Sequence, residues 1–271
     1  MLFRSERGIA LFGSLPANGD IEIPSRHLGL VQAADLAASG ALEPMIDKAA
    51  ELVAAHLDLG AIEAAFAGIA APETGPALLP PPGHRIAIAR DAAFGFSYEH
   101  LMAGWRDAGA EIMNFSPLAD EAPPPNADFI FLPGGYPELH LPELSRAGNF
   151  LGGLRAAAER GTRIYGECGG YMVLGETIID AEGRSYPMAG LLALETSFAK
   201  RKLHLGYRRM TPLAQAWPGL EPVTGHEFHY TSATRAEGDP LFAVSDAAGR
   251  DLGTMGLVRG SVAGSYAHII A

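Results

Sequence analysis

Residues 162–175 read Thr-Arg-Ile-Tyr-Gly-Glu-Cys-Gly-Gly-Tyr-Met-Val-Leu-Gly, and the fold turns on this stretch. The apolar run Arg163 to Tyr165 predicts a short buried strand that stops at Gly166, and Tyr171, Met172, Val173 and Leu174 predict the start of a helix. Cys168, the only cysteine of the chain, falls in the turn between them. Gly166-Glu167-Cys168-Gly169-Gly170 is G-x-C-x-G, the sulfur counterpart of the G-x-S-x-G nucleophile elbow. Small residues on both sides of a nucleophile permit a strained turn that lifts its side chain into a cleft. A helix N-terminus beside the sulfur is expected to favour thiolate over thiol. By default a lone cysteine after a strand is a small buried hydrophobe; the flanking glycines favour the nucleophile.

Outward from the elbow, strands alternate with helices from Arg85 onward. Ile86–Ala89, Ala110–Phe115 and Asp128–Leu132 predict strands. Tyr98, Leu101, Met102 and Trp105 predict an amphipathic helix ending at Gly109, and 149–160 a second helix closed by Gly161. This order predicts an α/β fold with a doubly wound, mostly parallel sheet whose site lies beyond the carboxyl ends of the strands. After Gly175, short apolar runs split by Gly, Pro and Asp, as in Ile178 to Gly183, predict added antiparallel hairpins.

Residues 69–84 hold five prolines and two glycines and predict an interdomain linker. Ahead of it, 1–68 offers one strand-like run, Ile9–Leu15, a polar loop at Pro24 to Leu30, and helical spacing from Pro44 through Phe66. That is too little to enclose a core, so it is expected to be part of something larger.

Composition excludes several classes. The chain has 271 residues with a formal charge of -11, which argues against non-specific binding to nucleic acid or anionic membrane. No apolar run is long enough to span a bilayer and no signal peptide is visible, so a soluble cytoplasmic protein is expected. One cysteine excludes a disulfide framework and a Cys-rich metal site, and no metal site is expected.

Two further segments bear on the thiol. Leu132-Pro133-Gly134-Gly135-Tyr136-Pro137-Glu138 follows a buried strand, and its glycines allow main-chain N–H groups to approach a ligand. The Gly135 loop is thus a candidate for one oxyanion donor and the Gly169 N–H for the other; a plain turn explains Pro-Gly-Gly equally. Gly264-Ser265-Tyr266-Ala267-His268 supplies an imidazole as base, though the pattern alone does not separate His268 from His226 or His229. Lys200, Arg201, Lys202, Arg208 and Arg209 form a basic cluster, read as a solvated hairpin face in preference to a grip on a polycarboxylate or a partner domain.

These motifs, with Gly225-His226-Glu227-Phe228-His229-Tyr230, resemble in order and spacing the glutamine amidotransferase domain of the cobyrinate (hydrogenobyrinate) a,c-diamide synthases, over residues 85–271. Residues 8–68, with Pro24-Ser25-Arg26-His27-Leu28-Gly29-Leu30, resemble the last part of that family's ATP-dependent synthetase domain. The resemblance implies glutamine hydrolysis through a Cys168 thioester, His268 as base and acid, and the Gly135 and Gly169 amides as oxyanion donors. Ammonia then passes to a and c carboxylates of cobyrinate or hydrogenobyrinate, activated with ATP and Mg2+. The chain has no Gly-Lys pair and hence no phosphate loop, so 1–68 reads as a synthetase remnant. An ATP-binding half elsewhere, or a homo-oligomer, is expected to complete the enzyme. Many class I amidotransferases carry a glutamate two residues after the histidine, where this chain has Ile270; Glu227 is a candidate orienter instead. Another subgroup such as cobyric acid synthase, or a non-catalytic interaction remnant, are the alternatives.

Overall fold

Ile86 and Ile88 point to one side of a sheet, Ala87 and Ala89 to the other, and all four are fully buried. The computed structural model in which they lie describes residues 10–23, 33–66, 79–216 and 218–270. The chain divides into two compact units, Met1–Gly75 and Pro76–Ala271. In the first, helices α1 (Ala33–Ala38), α2 (Leu42–His56) and α3 (Leu59–Phe66) follow one another. Helix α2 starts two residues ahead of Pro44, which stands in the first turn, where its missing N–H breaks no intrahelical bond. Leu57 and Asp58 separate α2 from α3, the Asp58 Oδ1 accepting the Ala61 N–H at 3.0 Å.

The strand expected over Ile9–Leu15 does not form among the described residues. Gly13 makes a single bridge to Leu57, and the Phe12 carbonyl accepts the Asp58 N–H at 2.6 Å, so the segment pairs with a helix end and not with a strand. The loop Pro24 to Leu30 and linker residues 69–78 lie outside the described residues. Leu79 is already buried in the core of the second unit.

That unit is built on a ten-stranded sheet in the order β14-β9-β8-β11-β12-β13-β4-β3-β1-β2. Strands β1 (Arg85–Ala89), β2 (Glu111–Phe115), β3 (Phe129–Leu132), β4 (Arg163–Glu167) and β13 (Val262–Ser265) run parallel to their neighbours within this group. Sheets buried on both faces read as continuous apolar runs. Here Ile130, Leu132 and Ile164 face one core layer, and Phe129, Phe131 and Tyr165 the other. Helix α4 (Glu99–Asp107) covers the second layer with Leu101, Met102 and Trp105. After α5 (Leu141–Arg146), α6 (Gly148–Glu159) covers the first with Phe150, Leu151 and Leu154.

The antiparallel strands are more extensive than the expected hairpins. β8 (His204–Pro212), β9 (Val223–His229), β11 (Asp239–Asp246), β12 (Asp251–Arg259) and β14 (His268–Ile269) continue the same sheet beyond β13. A second sheet holds β5 (Thr177–Ile179), β6 (Ser185–Pro187), β7 (Ala193–Ser197) and β10 (Ser232–Glu237). The β5–β6 hairpin is the one expected from Ile178 to Gly183. Among the described residues no helix is long and apolar enough to cross a membrane.

Candidate active site

Strand β4 runs straight into Cys168, which adopts φ 45° and ψ -104° before helix α7 (Gly169–Leu174) begins. A non-glycine residue with positive φ is strained and persists only where its surroundings over-determine it. Here they do. The Cys168 N–H donates to the Ser265 carbonyl at 2.8 Å, and its carbonyl accepts from Met172 at 3.1 Å. Gly170 lies against the backbone of Leu132, and Gly166 against that of Gly170, so neither position has room for a Cβ. The glycines of the elbow therefore press α7 onto β3 and β4.

The loop after β3 closes over this turn. A Cβ on Gly169 would stand 3.2 Å from the backbone nitrogen of Gly135, so the two glycines singled out from the sequence lie against each other. Gly134 abuts the His268 ring, leaving no place for a side chain there, and its carbonyl accepts the Phe96 N–H at 2.9 Å. His268 is thus gripped from several sides. Its ring stacks on His226 with centroids 4.8 Å apart and planes 7° apart, and Phe96 and Tyr98 lie at 6.2 and 6.3 Å. The stack follows from β14–β9 pairing, which sets His268 opposite His226. Burial raises the Tyr98 phenol, and the charges of Glu167 and Cys168 add to the effect, so this one ring feels the thiol and touches the imidazole.

Glu227 does not reach His268. Successive residues of a strand point to opposite faces, and with His226 turned toward His268, Glu227 faces the other way. Its Oε2 accepts from Arg208 Nε and Nη2 at 2.9 and 2.7 Å, and its Oε1 lies 2.7 Å from His229 Nε2. Burial works to raise the Glu227 carboxyl, but His229 and Arg208 outweigh it and hold it below the usual range. The carboxyl beside His268 is Glu167, whose Oε2 lies 3.7 Å from Nδ1. Sequence reasoning passed over Glu167 although it stands in the elbow motif; a carboxyl directly after the run Ile164-Tyr165-Gly166 of a buried strand was the available signal.

His204, Glu227 and His229 also bring ligand atoms within 4.8 Å of one another. Both Glu227 oxygens are committed, and the Arg208 guanidinium already supplies the positive charge a cation would bring. Two imidazoles and a committed carboxylate do not suit Mg2+, which takes oxygen ligands. Arg208 is likewise withdrawn from the basic cluster, while Lys200, Arg201, Lys202 and Arg209 are exposed.

The thiol is not the activated thiolate that a helix N-terminus led us to expect. Burial pushes Cys168 up to about 12, the charges of Glu138 and Glu167 add to this, and the Gly169 N–H opposes it only in part. Burial lowers His268 to about 3, helped by His226 and His229, so its imidazole is neutral. At rest the thiol is protonated and the imidazole neutral.

A strained cysteine between a parallel strand and a helix thus lies under a glycine loop that also abuts a buried histidine. The chain belongs to the CobB/CobQ-like glutamine amidotransferase domain family, whose model matches residues 85–271. It is 53% identical over 273 residues to the hydrogenobyrinate a,c-diamide synthase of Rhizobium meliloti (strain 1021), covering 100% of this chain and 62% of that protein. The proteins of the same name from Brucella anthropi and Rhodobacter capsulatus are 52% and 50% identical, each covering 97% of this chain and 60% of the relative. The chain therefore spans about three fifths of the length of these relatives. Among solved structures, a glutamine amidotransferase superposes with a TM-score of 0.46 at 14% identity, covering 68% of this chain and 89% of that one.

Proposed function

We propose that this chain is the glutamine-hydrolysing portion of a corrin a,c-diamide synthase, and that Cys168 and His268 perform the hydrolysis. The observation that carries the reading is the strained Cys168 elbow facing the Gly134-Gly135 loop that also grips His268. With the thiol protonated and the imidazole neutral at rest, attack and proton transfer are coupled. Cys168 Sγ adds to the side-chain amide carbon of glutamine while His268 takes the thiol proton. The Gly135 and Gly169 N–H groups hold the oxyanion. Collapse of the tetrahedral adduct breaks the C–N bond, His268 returns the proton to the leaving nitrogen, and ammonia departs from a thioester. Water, deprotonated by His268, then cleaves the thioester to release glutamate and restore the thiol.

The ammonia goes to a carboxylate activated with ATP and Mg2+ on a synthetase half. The relatives align along 97–100% of this chain, including residues ahead of 85, which supports reading 1–68 as part of that half with 69–84 as the linker. No Gly-Lys pair occurs in the sequence, and the His204–Glu227–His229 group does not suit Mg2+, so no residue of this chain is assigned to ATP or the metal. The acceptor is cobyrinate or hydrogenobyrinate, in keeping with the names of the relatives. A separate ATP-binding half or a second copy completes the enzyme, in the cytoplasm.

Ammonia release from glutamine tests the reading, with wild type beside Cys168→Ala and an intact synthetase half added in trans. Release that requires Cys168 is expected. Equal release by both proteins would overturn the assignment.

A further inference from the structure

Strand β4 delivers a carboxyl to the interior one residue before the thiol. The side chains of Glu167 and His268 are each 3% exposed. Oε1 of Glu167 accepts the backbone N–H of Ile269 at 3.1 Å, which ties this carboxyl to the strand carrying His268. Oε2 of Glu167 has no hydrogen-bond partner, and neither has Nδ1 of His268. These two atoms lie 3.7 Å apart.

Unsatisfied buried polar atoms are costly and rare. One proton between these two would satisfy both, after an approach of roughly 1 Å from the present separation. Catalytic hydrogen bonds are often long in a resting site and tighten when substrate binds. Ile270 occupies the place two residues after the histidine, and Glu227 is held by Arg208 and His229. Glu167 is thus the carboxyl in reach of the base.

We propose that Glu167 is the positioning residue for His268, orienting the base from the position immediately before the nucleophile. The inference rests on the reading of Cys168 and His268 as nucleophile and base. With Glu167 ionised, Oε2 accepts from Nδ1–H, which leaves Nε2 bare to take the thiol proton and stabilises the imidazolium that forms. With Glu167 protonated, its O–H donates to Nδ1, the ring proton sits on Nε2, and the base is blocked. Loss of one proton from the pair switches the base on.

Tyr98, Tyr165 and Cys168 surround Glu167, His226 stacks on His268, and His229, on the opposite face of β9, influences it electrostatically. Burial raises both phenols and the thiol and lowers His226, so none of these four carries charge near neutrality. Burial likewise raises Glu167 to about 8, partly opposed by the Ile269 N–H. The activating deprotonation accordingly falls on the alkaline side of neutrality.

The test is nitrogen NMR of the full chain labelled in its histidine rings, titrated over about pH 6 to 10, around the ordinary histidine range. His268→Asn identifies the His268 signals. The expected result is a one-proton change in those signals in wild type that vanishes in Glu167→Gln. Signals that titrate identically in both proteins would overturn the inference. Should Glu167→Gln not fold, His268 signals that stay flat in wild type over that range would also overturn it.

Kinetics adds a second readout. Glu167→Gln is expected to lower kcat for glutamine hydrolysis about a hundredfold or more, with KM nearly unchanged and the alkaline rise of the pH profile lost. An unchanged kcat contradicts the inference. A wild-type chain that releases no ammonia counts against the glutaminase reading alone, because the NMR titration needs no turnover and still decides the role of Glu167.

Discussion

Strands β13, β4, β3, β1 and β2 run parallel, and their central members are buried on both faces. Strands β14, β9, β8, β11 and β12 run antiparallel; β9 alternates buried with more exposed residues, and β8 half-buried with exposed ones up to the buried Met210. The first half fixes the thiol by local close packing, with Gly166, Gly170 and the Leu132 backbone in mutual contact. The second fixes the imidazole by pairing the two-residue strand β14 with β9, far away in sequence. The thiol can therefore be set by a short motif, whereas the imidazole depends on the whole sheet closing correctly.

The largest expected effects break each half at its reactive group. Cys168→Ala is expected to lower ammonia release on the order of 10³-fold or more, and His268→Asn by about 10²- to 10⁴-fold, both read in a coupled ammonia assay. If the halves act as one site, the double variant loses little beyond the larger single loss.

Next comes the buried ion pair of the antiparallel half. Arg208→Ala strands the Glu227 charge, whose side chain is 9% exposed, and is expected to lower stability by about 3–5 kcal/mol in urea unfolding. In the parallel half, Gly170→Ala drives a Cβ into the Leu132 backbone and is expected to destabilise by about 1–3 kcal/mol.

A pH titration of stability follows. Glu167 is raised in the folded chain from the ordinary 4.5 to about 8, so its contribution is fully present below about 4.5 and is lost as pH rises through about 8. Unfolding midpoints are expected to fall over that window in wild type and to fall less in Glu167→Gln. Smallest of all, alanine at Lys200, Arg201 and Lys202 together is expected to change stability by no more than about 0.5 kcal/mol, since all three are exposed.

What could be read from sequence follows the same division. β1 and β3 are continuous apolar runs, and α4 carries its buried face at Leu101, Met102 and Trp105, so periodicity located them. β12 carries Gly253 and Gly256 at positive φ, and β8 carries Gly206 at positive φ and the adjacent Arg208 and Arg209 that break its alternation, so neither reads as a member of the main sheet. Around the thiol, the glycines announced a strained turn, but the charge state depends on how completely the turn is buried, and no motif states that. Glu167 and the N–H of Ile269 meet across 102 positions, and only the β4–β13 pairing with the turn into β14 brings them together. In the first unit, an apolar run ahead of Pro16 suggested a strand, but the Phe12 carbonyl is taken by the end of a helix.

The most direct measurement is mass spectrometry of the chain after exposure to a glutamine-like diazoketone, with His268→Asn treated in parallel. The account predicts one adduct, on Cys168, forming in wild type and strongly slowed without the imidazole. Labelling of Cys168 at equal rates in both proteins would contradict the claim that these two halves of the sheet build one Cys–His site.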